Sequence, residues 1–372
     1  MVRRPSRRAY VAQWIFLAAL VLVGGLLIST LGANLARRNM QFGFEFLFRK
    51  AGFDIPFHLI GWTIFDNYAR ALLVSLLNTI LVSAMGVVAA TLLGLLVGIM
   101  RLSANWLVRN IALGFIEFVR NSPQLVQIIF WYFAVLQTLP SPRQSIEIFG
   151  GILLNVRGLY VPDAILGEHG AALSWLAAIV LVATPFVWRL RIKERRIGPV
   201  ALVLPVVAAG LLAAGIERVD VPALAGFNIK GGTQVPPELV ALWAGLSIYS
   251  AAFIAEIVRA SIEAVPKGQH EAARALGLRP LRVLFLIVLP QAMRMMVPQL
   301  TSQYLNLIKS STLGAFVAYP EIVQIFAGTV MNQSGKEVET IVVVMAVFLT
   351  VNLIFSAFMN WYNRRVALVG RS

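Results

Sequence analysis

Glu271-Ala-Ala-Arg-Ala-Leu-Gly-Leu-Arg-Pro280-Leu-Arg-Val-Leu-Phe-Leu-Ile-Val-Leu-Pro290 carries a polar hairpin between long apolar stretches. A helix is expected from about Gln269 to Leu276. Gly277 can take a left-handed conformation and stop it. Pro280 suits the first turn of a following helix, and Leu281, Leu284, Phe285 and Val288 repeat at helical spacing. The pattern predicts two short helices at a sharp angle, held just outside a bilayer. A short amphipathic helix presented this way can lie in a groove on another protein. The same residues also suit a hairpin that tucks its apolar side onto the membrane.

Away from this hairpin the chain is overwhelmingly apolar. Of its 372 residues, 59% are hydrophobic and 13% charged, against roughly 45–50% and 25% in soluble domains. Runs of about 20 apolar residues, the length a helix needs to cross a ~30 Å hydrocarbon core, recur along it. The chain reads as an all-α polytopic membrane protein surrounded by membrane lipid. Net charge is +15, from 32 Lys and Arg against 17 Asp and Glu. In a soluble protein that balance points to nucleic acid. Here the basic residues belong to cytoplasmic loops, and no nucleic-acid partner is expected. The absence of Cys excludes disulfides and thiolate chemistry. His58, His169 and His270 are too scattered for a metal site.

Eight spans are expected: about Val11–Leu31, Ala71–Met100, Pro123–Leu139, Leu173–Trp188, Gly198–Ile216, Leu239–Ile262, Leu284–Ile308 and Val338–Trp361. The first exceeds the roughly 7–15 residues of a cleavable signal core and is read as an uncleaved helix. Basic residues gather at the N-terminus (Arg3, Arg4, Arg7, Arg8), over 101–120, in Arg189–Arg196, over 259–282 and in the tail (Arg364, Arg365, Arg371). The alternate loops are more balanced, which predicts that both termini are cytoplasmic. The first outer loop departs from that pattern, with Arg37, Arg38, Arg49 and Lys50. Leu139-Pro-Ser-Pro142, Gly150-Gly151, Gly231-Gly232 and Pro236-Pro237 read as loop punctuation.

Glu271-Ala-Ala, Gly277 and, after a fixed interval, Ile287-x-Leu-Pro290 resemble the EAA loop of importer-type ABC permeases. Ser250-Ala-Ala-Phe-Ile-Ala-Glu-Ile-Val-Arg259, Val265-Pro-Lys-Gly-Gln269, Ile116-Glu-Phe-Val-Arg-Asn-Ser-Pro123 and Asn306-Leu-Ile-Lys-Ser-Ser-Thr-Leu313 are similar to the polar amino acid uptake subfamily. The similarity covers about residues 71–361. It implies a type I ABC importer permease domain there, after an N-terminal arm, helix and outer loop (1–70) and before a tail (362–372). It implies that loop 263–290 is a coupling helix seated in a cytoplasmic ABC ATPase. Glu271, Ala272, Ala273, Gly277, Leu289 and Pro290 are its signature positions. ATP and magnesium would then sit in two copies of that partner. Consistently, this chain has no G-x-x-x-x-G-K-[ST] phosphate loop and is expected to bind no cofactor itself. The resemblance further implies a second, homologous permease subunit, a periplasmic amino-acid-binding protein and a place in the bacterial inner membrane. The simplest family members have five spans. The extra N-terminal helix and an insertion at about 140–237 resemble the larger general L-amino acid permeases, which pair two different permease chains.

A passage for substrate is sought among polar residues at membrane depth. Gln299, Gln303, Asn306 and Ser310 fall on one face of the seventh span, and Lys309, Ser311 and Thr312 lie where it ends. Asn78 and Thr79 lie on the second span, and Gln124 opens the third. Such groups face a partner helix or a water-filled cavity. Glu256 and Arg259 are expected as a structural pair or inner-gate element. Gly86, Ala90, Gly94 and Gly98 are read as a close-packing seam. The expected function is ATP-driven import of amino acids into the cytoplasm. The alternative is a secondary transporter driven by an ion gradient. Such transporters often carry repeated halves, and no internal repeat is visible here.

Overall fold

The computed structural model describes residues 7–37, 42–170, 172–177, 179–180, 184 and 200–366. The basic arm before Arg7, Arg38, half of the expected fourth span, the loop Arg189–Arg196 and Arg371 lie outside the described residues. Helix α1 spans Arg7–Arg37.

Helix α2 (Tyr68–Arg101) organises the rest. Asn67 starts it, its side-chain oxygen accepting the Arg70 amide at 2.9 Å and satisfying one orphan donor of the first turn. The chain returns to α2 through α6 (Pro237–Glu263), and the two lie in close contact. A Cβ at Gly94 would stand 2.6 Å from Ile254 Cγ2, and one at Gly98 would stand 2.8 Å from Val258 Cβ. The small-residue seam therefore sets how near these helices approach. Helix α9 (Leu289–Ser310) packs on both, burying Val82, Ala90, Leu242, Leu246, Ile254, Met296 and Leu307 in one apolar core. Helix α11 (Glu337–Val366) lies along α9.

Helix α3 (Trp106–Asn121) and helix α4 (Gln124–Ile129), continued by a π-helical turn at Phe130–Leu136, form a broken passage. Pro123 has no N–H for the helical ladder. Gln127 bridges the break, its amide donating to Val119 O at 3.0 Å and Ser122 Oγ at 2.8 Å. The expected loop at 101–120 is thus largely helix, with Ala112, Ile116 and Val119 buried against neighbouring helices. Arg109, Glu117 and Arg120 break its apolar run, so hydropathy alone stops at Pro123.

Five helical stretches among the described residues are long and apolar enough to cross a membrane: Tyr10–Asn34, Tyr68–Arg101, Pro237–Glu263, Pro280–Val317 and Glu337–Arg364. Gln124–Leu136 and Val203–Gly215 are apolar but shorter. The latter lies in α5 (Val200–Gly215).

The expected all-α fold needs correction between residues 146 and 235, where eight short strands form. An antiparallel sheet runs β1 (Ile146–Ile148), β2 (Ile152–Asn155), β3 (Gly158–Val161) and β8 (Thr233–Val235). Strands β4 (Asp163–Leu166) and β5 (Ile216–Asp220) pair, as do β6 (Ala223–Ala225) and β7 (Asn228–Lys230). Of the glycines read as loop punctuation, Gly150 and Gly151 turn the chain between β1 and β2 at φ +64 and +86, and Gly231 and Gly232 carry it from β7 to β8 at φ +79 and +66, conformations that favour glycine.

The seventh span does not end in a loop either. A 3-10 turn (Ser311–Val317), a left-handed Ala318 and a π-helical stretch (Val323–Val330) lead into α10 (Met331–Ser334). Glu321 is fully buried at the start of that stretch. Its two carboxylate oxygens accept the amides of Val323 at 2.9 Å and Gln324 at 2.7 Å. The basic stretch expected as the first outer loop folds over the same region. Its Phe46, Ile55 and Trp62 are buried in one cluster with Tyr68 and Phe326.

Candidate functional site

The polar hairpin forms as the sequence predicts. Helix α7 (Lys267–Ala275) ends at Gly277, whose φ is +73. The Gly277 amide donates to Arg274 O at 2.9 Å and the Leu278 amide to Ala273 O at 3.2 Å, the paired bonds of a Schellman stop. Helix α8 (Pro280–Val283) follows. Ala273, Val283, Val288 and Ala292 share a small core. Glu271 and Ala272 lie exposed, and the Glu271 carboxylate has no partner among the described residues. Leu276 and Leu281 are 81% and 70% exposed, and Phe285 and Leu286 also stand exposed beyond them. Leu289 opens α9 with Pro290 next to it, and a π-helical turn at Leu284–Val288 joins α8 to α9 directly before this proline, which has no N–H to give to the helical ladder. Just before the hairpin, Arg259 donates to both Glu256 and Glu263. The expected Glu256–Arg259 pair is therefore a triad along one helix.

The polar candidates divide into two groups. Asn78 and Thr79 are buried on α2 and spent on the fold. The Asn78 amide donates to Phe57 O at 2.9 Å and Pro320 O at 3.0 Å. Thr79 Oγ1 donates to Ser75 O and accepts the Ile322 amide at 3.2 Å, while Tyr319 Oη donates to Asn78 O at 3.0 Å. Ser311 and Thr312 bond back to Ile308 O and Lys309 O. Gln299 is exposed and donates to Met295 O.

The second group lines a cavity of about 320 Å³ between α4, α6 and α9. Gln124, Gln303, Asn306 and Ser310 reach it, joined by Tyr249, Ser250, Phe253 and Lys309. The side chains of Gln124, Gln303, Asn306, Lys309 and Ser310 make no hydrogen bond among the described residues. Lys309 brings a cation, and no carboxylate lines the cavity. Three of the four stripe residues are thus brought together and Gln299 is not. Sequence reasoning misses Tyr249, Ser250 and Phe253 as wall residues. The available signal was the i, i+4 spacing of two aromatics on α6, which resembles an ordinary lipid-facing stripe.

A helical membrane core, a broken passage beside a polar cavity and a capped surface hairpin together define a transport permease. Residues 90–368 match the family described as binding-protein-dependent transport system inner membrane component. The chain belongs to that family, whose members are the membrane components of ABC import systems and not the ATPase. It is 47% identical to YhdX of Escherichia coli (strain K12), over 99% of this chain and 96% of that one. It is 42% identical to the general L-amino acid transport system permease protein AapQ of Rhizobium johnstonii, over 91% and 87%. A solved structure of an amino acid ABC transporter with histidines has the same fold, with a TM-score of 0.50 at 19% identity, covering 80% of this chain and 95% of that one.

Proposed function

We propose that this permease carries amino acids from the periplasm to the cytoplasm through the cavity between α6 and α9, driven by ATP hydrolysis in partner subunits. One observation carries the reading. The exposed hairpin is the connection between α6 and α9, the two helices that wall the cavity. A partner that moves the hairpin moves both walls as rigid elements. Glu271, Ala272, Ala273, Gly277, Leu289 and Pro290 form the coupling element, and Glu271 is free to meet a donor on the ATPase. Two ATPase copies hold the nucleotide and magnesium. A second homologous permease completes the pathway, and a periplasmic binding protein delivers substrate. Eight spans with both termini cytoplasmic put the hairpin on the ATPase side and the β-structured part of the insertion on the outer side. In the cavity, Lys309 pairs with the carboxylate common to all amino acids, and the amides of Gln124, Gln303 and Asn306 meet the remaining polar groups. Amino-acid transport is supported by the names of YhdX and AapQ, which align along nearly all of this chain.

The test is reconstitution of both permeases, the ATPase and the binding protein in proteoliposomes. Glu271→Ala is expected to lower ATP-driven uptake of a labelled amino acid by roughly tenfold or more, the loss of a charge-assisted contact at a desolvated interface. Undiminished uptake together with undiminished retention of the ATPase would remove the coupling assignment.

A further inference from the structure

We propose that Arg120 and Phe253 form a gate on the hairpin side of the cavity. The proposal rests on that cavity being the substrate path. Phe253 lines the cavity. Tyr249, one turn earlier on α6, also lines it, and the two rings meet at a tilt of 49° with centroids 5.0 Å apart. The Arg120 guanidinium stands 5.3 Å from the centre of the Phe253 ring, within the range where the ring quadrupole attracts a cation. Along α6, Phe253 lies beyond Tyr249 in the direction of the hairpin, and the Glu256–Arg259–Glu263 triad follows at once. The aromatic pair and its cation therefore stand between the polar cavity and the coupling end.

The Pro123 break makes this arrangement. Arg120 is in the last turn of α3 and Gln124 opens α4, so the break delivers an amide into the cavity and a cation onto its aromatic wall. Gln127 stitches the two helices across the break, so α3 and α4 can pivot there without separating. Arg120 is exposed and makes no hydrogen bond or ion pair among the described residues. Its guanidinium faces the ring, and its charge also acts on the Glu256 carboxylate one turn further along α6. A small rotation of α3 against α6 removes the cation, frees Phe253 to turn aside and opens the cavity towards the cytoplasm. Restoring the contact closes it again.

The chain contains no Cys, so Arg120→Cys with Phe253→Cys places one reactive pair across the contact. In the complete transporter, bridging by a bifunctional methanethiosulfonate reagent is expected to be several-fold faster in one of two states, nucleotide-free or vanadate-trapped. In vesicles preloaded with labelled L-glutamate, Phe253→Ala and Arg120→Gln should each raise ATP-independent leak roughly fivefold, and Arg120→Lys should restore part of the seal, as a second cation over the ring would. Equal bridging in both states with unchanged leak in both single variants would overturn the gate. Gln303→Ala and Asn306→Ala test the cavity separately. If they leave the KM for uptake unchanged, the cavity reading fails. If they raise KM while the gate variants are silent, the gate alone fails.

Discussion

Glu271 and Glu321 each sit in a short hairpin that interrupts the long spans, and the protein uses them in opposite ways. Glu321 is buried, and both its oxygens accept backbone amides at the start of a helical stretch. Glu271 is exposed, with its carboxylate free among the described residues. Around Glu321, Asn78, Thr79 and Tyr319 tie the turn to α2. Around Glu271, the hairpin is held by its own backbone, through the Schellman bonds at Gly277 and Leu278. The difference separates two kinds of polar residue in a membrane protein. Those whose hydrogen bonds are spent on buried backbone hold the fold. Those left with unused donors or acceptors are available to a partner or a substrate. The cavity residues Gln303 and Asn306 belong with Glu271, and Asn78 belongs with Glu321.

The largest effect should come from the two glutamates. Glu321→Ala strands two helix-start amides and empties a packed site, at a cost of about 2–4 kcal/mol. That cost is read as a lowered unfolding midpoint of the purified complex. Glu271→Ala should leave the midpoint where it is while uptake collapses. The opposite pattern would break the comparison outright.

A smaller contrast is expected between two asparagines. Asn78→Ala removes two bonds to buried carbonyls and should cost about 1–3 kcal/mol of stability, with KM for uptake preserved in the protein that still assembles. Asn306→Ala should stay within about 0.5 kcal/mol of the parent in stability yet raise KM. A destabilised Asn306 variant with normal KM would move that residue into the structural group.

The smallest change is expected at Gly277. Nothing lies within 4 Å of a Cβ placed there, so Gly277→Ala costs only the left-handed backbone, about 1 kcal/mol. Faster hydrogen exchange at the Gly277 and Leu278 amides would report it. Unchanged exchange would show that packing, and not the glycine stop, sets the hairpin.

The same physics decides how much was legible beforehand. The hairpin could be read because its rules are local: a glycine stop, a proline start and helical spacing of leucines over some twenty residues. The long spans could be read because a ~30 Å apolar layer demands long apolar runs. The strands at 146–235 could not. They are three to five residues each, too short for alternation to outweigh the glycines and prolines around them. Helix α3 was lost because Arg109, Glu117 and Arg120 interrupt its hydropathy, although it is folded against its neighbours. Asn78 and Gln303 are both polar amides on apolar helices, and nothing in the chain order says which one finds a carbonyl.

The sequence by itself determined a polytopic membrane protein with a surface hairpin, because hydropathy and backbone stops act over a few turns of one helix; that it is a permease was implied by the resemblance of the hairpin and its flanking stretches. Only the tertiary structure decided that Glu321 is a buried cap, that Asn78 and Thr79 are ties, and that Gln124, Gln303, Asn306 and Lys309 share a cavity. A hydrogen bond is made or left open according to which helix lies alongside. That neighbour is set by close contacts such as Gly94 against Ile254 and Gly98 against Val258, between residues about 160 positions apart in the chain.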